Sequence, residues 1–252
     1  MLDGPVQALR KAGRAAQDLI FPHHAFDAGS RASSPGLTAL GWSKIAFLEA
    51  PVCDGCGAPF DYDMGEGVRC PACEARPKAF SRARAACLYD EHSRDLILQF
   101  KHADRLDLAR LFSLWLGRAA GELVAEADAV VPVPMHPLRL IRRRYNQAAE
   151  IARPLARRAG LAYWPGALKR RRAGESQAGK SGAGRRRNVQ GAYACPAGWE
   201  RRIAGKRILL VDDVMTTGAT AEACAKALTR AGAAAVYVAV IARVRENESV
   251  SI

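Results

Sequence analysis

The chain has 252 residues, 49% of them apolar, and a formal charge of +13. That length accommodates one sizeable α/β core with a small appendage, and that apolar share excludes global disorder. No stretch reaches the roughly 18–20 apolar residues of a membrane span, and the charged N-terminus lacks the unbroken apolar run of a signal peptide, so a cytoplasmic location without a membrane span is expected.

Residues 5–20 read as a short amphipathic helix, 25–35 as a loop rich in Gly, Ser and Ala, and 38–50 as a packing arm with Trp42 and Phe47. Next come Cys53-x2-Cys56 and Cys70-x2-Cys73, two pairs separated by 13 residues. Each pair supplies two thiolates from one tight turn, and four sulfurs complete a tetrahedral zinc. A lone CxxC reads as redox-active, whereas two pairs at ribbon spacing favour structural zinc, with an iron–sulfur cluster as the alternative. Gly55 and Gly57 relax the backbone at the first knuckle. All four ligand positions are filled, so the metal replaces a core that so short a segment cannot build and implies no catalysis. Seven cysteines, an odd count, without a secretion signal argue against a disulfide scaffold. His23 and His24 have no matched spacing and read as turn histidines.

From about residue 81 apolar strands alternate with helices. Strands are expected at 83–89, 127–134, 205–211 and 235–241. Helices are expected at 93–100, 106–123, 138–160 and 217–232, with Pro154 breaking or kinking the third. Continuous apolar strands alternating with helices predict an α/β fold, a mostly parallel sheet covered on both faces.

The charge is regional. Residues 139–187 hold 15 Lys and Arg against Glu150 and Glu175, which accounts for the whole net charge. Such a segment attracts phosphate groups or single-stranded DNA, or forms a solvated helix face and loop. Within it, Gly174–Ser181 (GESQAGKS) formally matches a P-loop. Lys169 to Arg172 precede the match, where a working P-loop needs a buried strand. Gly182 and Gly184 follow it and make a poor helix start. A nucleotide-gripping P-loop is therefore rejected.

The most specific chemistry is KRILLVDDVMTTGAT, Lys206–Thr220. An apolar strand ends in Asp212 and Asp213, and a turn then opens a helix. Amides and hydroxyls of Thr216, Thr217, Gly218, Ala219 and Thr220 suit a phosphate monoester at a helix N-terminus. Asp212 and Asp213 can accept hydrogen bonds from a ribose diol. The plain alternative is a strand-end turn with a threonine cap.

This stretch resembles the 5-phosphoribosyl-1-diphosphate (PRPP) motif of type I phosphoribosyltransferases. The chain from about 40 to 243 resembles the ComF family, competence-protein-like phosphoribosyltransferase homologues with an N-terminal zinc ribbon. The resemblance lies in LGWSKIAFLEAPVCDGCGAPF (40–60), CPAC (70–73), QFKHADRLDLA (99–109) and AVVPVPMHPLRLIRRRYNQAAEIA (129–152). It implies a type I phosphoribosyltransferase-like sheet that binds PRPP with Mg²⁺. It also implies a basic loop in which Arg172, Lys180 and Arg185 offset the leaving group's charge, and a link to competence and DNA uptake. The family often has Gly where this chain has Arg144, so helix is expected to replace a turn there. The loop positions usually held by Thr and Leu are Gly174 and Lys180, and those two departures create the P-loop match.

Expected boundaries are 1–50 for the helix and arm, 51–75 for the zinc ribbon, 81–243 for the phosphoribosyltransferase-like domain and 244–252 for a polar tail. Three functions compete: a PRPP-dependent phosphoribosyltransferase, a non-catalytic single-stranded-DNA-binding protein, and a scaffold docking a competence or DNA-processing protein.

Overall fold

Residues 26–27, 36–102, 105–136, 140–141, 143–170 and 191–245 are described by the computed structural model. The chain divides into two compact units, 1–45 and 46–252. In the first, helix α1 (Ala39–Lys44) is capped by Thr38, whose side chain accepts from the Gly41 amide, and Asp27 accepts from the Thr38 amide at 2.8 Å. Gly41 is required there because a Cβ would stand 1.9 Å from an Asp27 carboxylate oxygen.

The second unit holds helix α2 (Pro71–Ala75), strand β1 (Arg82–Leu88), helices α3 (Glu91–His102), α4 (Leu108–Ala119) and α5 (Gly121–Glu126), and strand β2 (Ala129–Pro132). Helix α6 (Gln147–Ala159) and strands β3 (Ala162–Tyr163), β4 (Lys169–Arg170) and β5 (Tyr193–Ala194) follow. The chain then forms α7 (Glu200–Ile203), β6 (Arg207–Met215), α8 (Ala219–Arg230) and β7 (Ala235–Arg243). Five strands form one parallel sheet in the order β1-β7-β6-β2-β3, and β4 pairs antiparallel with β5. The fold is the expected α/β type, a parallel sheet flanked by helices.

Side-chain alternation along the strands separates two cores. Ile208, Leu210, Val238 and Val240 share one core with Ala221, Cys224 and Leu228 of α8. The intervening residues Leu209, Val211, Ala239 and Ile241 are equally buried and point to the other face. There α4 lies against β1 and β7, and α6 against β2 and β6. Residues 46–48 cover the outer edge of β1: Phe47 bridges Cys87 antiparallel, and the Leu48 amide donates to the Ala86 carbonyl. A covered edge offers no template for foreign strands.

The sequence expectations fail in instructive places. A single helix over 138–160 does not form; α6 begins at Gln147 with Asn146 as its cap. Arg144 stands at φ 63, so the turn survives without its glycine instead of becoming helix. Pro154 sits inside α6 without ending it, because Ile151, Ala152, Leu155 and Ala156 are buried and packing outweighs the lost amide. The helix expected at 106–123 is two, α4 and α5, broken at Ala120. Strand β6 runs on through both aspartates to Met215.

Candidate functional site

The four cysteines converge. The sulfurs of Cys53, Cys56, Cys70 and Cys73 lie within 4.8 Å of one another, and those of Cys56 and Cys70 are 3.8 Å apart. A tetrahedral ion with metal–sulfur bonds of roughly 2.3 Å sets its sulfurs about 3.8 Å apart, so the donor set fits. The Cys70 amide donates to Cys53 Sγ at 3.1 Å. The hydrogen bond between the Cys53 and Cys56 side chains lowers the Cys53 thiol and raises that of Cys56. A divalent cation would favour ionisation of all four.

Two arginines tie this knuckle to the sheet. Arg84 on β1 donates to the Asp54 carboxylate at 3.0 Å and pairs with Glu122 at 2.7 Å. Arg243, at the end of β7 and 3% exposed, donates to the Cys56 carbonyl. Gly57 has φ 69, and a Cβ there would stand 2.6 Å from the Ala83 carbonyl oxygen. Glycine therefore allows the knuckle to seat directly on the β1 backbone.

The second site lies where connections leave the sheet in opposite directions. From β2 the chain passes through α6 to β3 on one side. From β6 it passes through α8 to β7 on the other. The crevice beyond the carboxyl ends of β2 and β6 is thus a topological switch point, where α/β sheets bind ligands. Asp212 and Asp213 lie on the last part of β6, at that edge. The following turn exposes Thr216 and Thr217. Gly218, at φ 76, opens α8 with no side-chain cap hydrogen bond. The helix end therefore presents its first-turn amides and the positive end of its dipole at the turn. Ala219 and Thr220 form its first turn, half-buried.

The adjacent aspartates have different surroundings. Asp213 pairs with Lys101 of α3, Oδ2 to Nζ 3.0 Å, both side chains mostly covered. Asp212 accepts the Asp213 amide at 2.9 Å. Burial, then the Asp213 charge, push the Asp212 carboxyl up to about 8. Its charge is felt by Cys224 of α8 and by Tyr193 of β5, and the Tyr193 hydroxyl also interacts with Thr220. Arg170 lies 5.7 Å from the Tyr193 ring centre and pairs with it across the β4–β5 ladder.

Arg172, Lys180 and Arg185 lie outside the described residues, as does the placement of the basic loop over the phosphate turn. Sequence reasoning missed Lys101, Arg170 and Tyr193 as site neighbours. The signal for Lys101 was a basic residue ending an otherwise apolar helix face. Arg170 and Tyr193 flank the basic loop in sequence, and the β4–β5 hairpin pairs them, with Tyr193 beside Thr220.

A family model described as the phosphoribosyl transferase domain matches residues 146–251. The DNA utilization protein YhgH of Escherichia coli K12 is 30% identical over 203 residues, covering 78% of this chain and 86% of that protein. Competence protein F of Haemophilus influenzae is 29% identical over 198 residues, covering 77% and 85%. Among solved structures, orotate phosphoribosyltransferase from Aeropyrum pernix aligns with a TM-score of 0.31 at 21% identity, covering 62% of this chain and 66% of that one.

Proposed function

Because the chain belongs to the ComF family of competence protein F and YhgH, we propose that it binds PRPP, or a related ribose phosphate, with Mg²⁺ in the crevice between β2 and β6. The observation carrying this reading is an uncapped helix N-terminus at Gly218, one turn beyond paired acids, at the switch point of a parallel sheet. The 5-phosphate takes the amides and hydroxyls of Thr216–Thr220, and the acids at the end of β6 face the ribose hydroxyls. Mg²⁺ supplies charge neutralisation of the diphosphate. The charge-offsetting role of Arg172, Lys180 and Arg185 rests on their sequence pattern. Cys53, Cys56, Cys70 and Cys73 hold a structural zinc.

Calorimetric titration of PRPP with Mg²⁺ into the zinc-loaded chain and into an Asp212→Asn, Asp213→Asn double variant tests the site. Saturable binding lost in the variant supports it; equal weak binding by both would sink it. Pyrophosphate release with a panel of bases then separates a transferase from a ligand sensor.

A second reading, single-stranded DNA binding, is favoured by the concentration of net charge in residues 139–187 and by the similarity to the DNA utilization protein YhgH. Exposed Arg153, Arg157, Arg158 and Lys169 belong to that segment. Phosphate-backbone binding should weaken steeply with added salt. No binding at low salt removes this reading. Among the described residues no helix is long and apolar enough to cross a membrane; a cytoplasmic site of action is part of the proposal.

A further inference from the structure

The connector that leaves the cysteine module runs past the turn after β6. Residues 76–81 join α2 to β1, and the Ser81 amide donates to the Val236 carbonyl of β7 at 2.8 Å. Just before it, Phe80 is 3% exposed and shares a core with Met215 and Ala221, the residues that bracket the turn. A Cβ added at Gly218 would stand 3.8 Å from the Phe80 ring and 3.7 Å from Met215 Sδ. The ring therefore backs the left-handed residue at which α8 begins.

Lys78 adds a charge to that contact. It pairs with Glu222, Nζ to Oε1 3.2 Å, and both side chains are mostly covered. Glu222 is the acid in the first turn of α8. Uncompensated, its carboxylate would oppose an anion at the positive end of the helix dipole. A second route starts at the first knuckle. Arg243 donates to the Cys56 carbonyl, and its ladder partner Met215 accepts the Val244 amide at 3.0 Å. The strand end that starts the turn is thus tied to the first knuckle, and the helix end that closes it to the connector after the second. A four-cysteine module draws its shape from its metal, so both ties depend on the metal site.

We propose that Lys78 and Phe80 are positioning residues of the 216–220 turn, and that through them and Arg243 the metal site and the turn are coupled, occupancy of either raising affinity for the other. The inference rests on the ribose-phosphate reading and adds a regulation to that site. Phe80 sets the shape of the turn and Lys78 its electrostatic balance. Reciprocity follows from linkage: a ligand that orders the turn holds the connector and the knuckle in the metal-binding geometry.

The test measures zinc affinity of the full chain by chelator competition, with and without saturating ribose 5-phosphate, whose own binding is followed by calorimetry. In wild type the ligand should tighten zinc about fivefold or more. Phe80→Ala should bring that factor below about twofold, and Phe80→Leu, which keeps an apolar side chain behind Gly218, should retain most of it. Lys78→Met should weaken ribose 5-phosphate binding about threefold or more in the zinc-loaded chain, and adding Glu222→Gln should restore it, a rescue that a merely structural role would not give. Zinc affinity indifferent to a ligand that wild type binds overturns the coupling, as does a full ligand effect in Phe80→Ala. Hydrogen exchange without ligand separates the two readings. In zinc-loaded Phe80→Ala the amides of 216–220 should exchange about tenfold faster while those of α6 keep their wild-type rates. If wild type binds no ribose 5-phosphate and exchange rises at the turn alone, the ribose-phosphate reading falls and the connector's grip on the turn stands. Unchanged exchange at the turn overturns that grip whatever the ligand does.

Discussion

Asp212 is a carboxyl whose chemistry departs far from its free state. Burial and the neighbouring Asp213 charge push the Asp212 carboxyl up to about 8, from an ordinary value near 4. Lys101 and the Asp213 amide act the other way but do not prevail, while Cys224, Tyr193 and Arg170 crowd the same face. The folded state therefore holds a proton that the unfolded chain releases. Stability from this residue is greatest below about pH 4 and declines as pH rises toward about 8. Asp212→Asn removes the decline. Its gain in unfolding temperature over wild type should be larger at about pH 8.5 than at about pH 5.5, and an equal gain at both would show that Asp212 is not the titrating group. That two acids stand together was legible in the sequence. Their separation by the sheet followed only once the apolar run of β6 continued through them.

Turns decide the matter at the scale of elements. Arg144 occupies a left-handed turn at φ 63, a conformation that costs a residue with a Cβ about 1 kcal/mol. Arg144→Gly should raise stability by about that amount, a rise of roughly 2–4 °C for a chain of this size, read by thermal unfolding. Sequence periodicity alone predicted helix through this point because Leu138, Ile141 and Tyr145 keep helical spacing. The cap at Asn146, whose side chain also donates to the Val133 carbonyl at 2.9 Å, overrides that pattern. Glycines in the cysteine module differ in the same physical terms. Gly57→Ala meets the Ala83 carbonyl oxygen at 2.6 Å, whereas Gly65→Ala meets nothing within 4 Å, though both have positive φ. The first should cost about 2–3 kcal/mol and the second about 1, measured by urea unfolding. Similar losses would mean that the knuckle does not rest on β1.

Over the whole molecule, the metal module and the sheet are one stability problem. Arg243 closes β7 opposite Met215, the residue just before the phosphate turn, and its guanidinium reaches back to Cys56. Withdrawing the zinc proposed for the four cysteines would leave that guanidinium and Arg84 beside a knuckle no longer held in shape. Chelation with metal analysis should lower the unfolding temperature of the chain as a single transition. An unchanged main transition would show that the module folds independently of the sheet. The sequence by itself determined the four-cysteine cluster, the alternation of strands and helices, the threonine-rich turn after β6 and the regional charge. Each of these is written in spacings of a few residues, where local geometry dictates outcome. Only the tertiary structure decided strand order, the switch point beside Asp212 and Asp213, the Lys101 partner and the approach of Tyr193 to Thr220. Those contacts join segments far apart in the chain, and their energies come from packing and burial that no local pattern records.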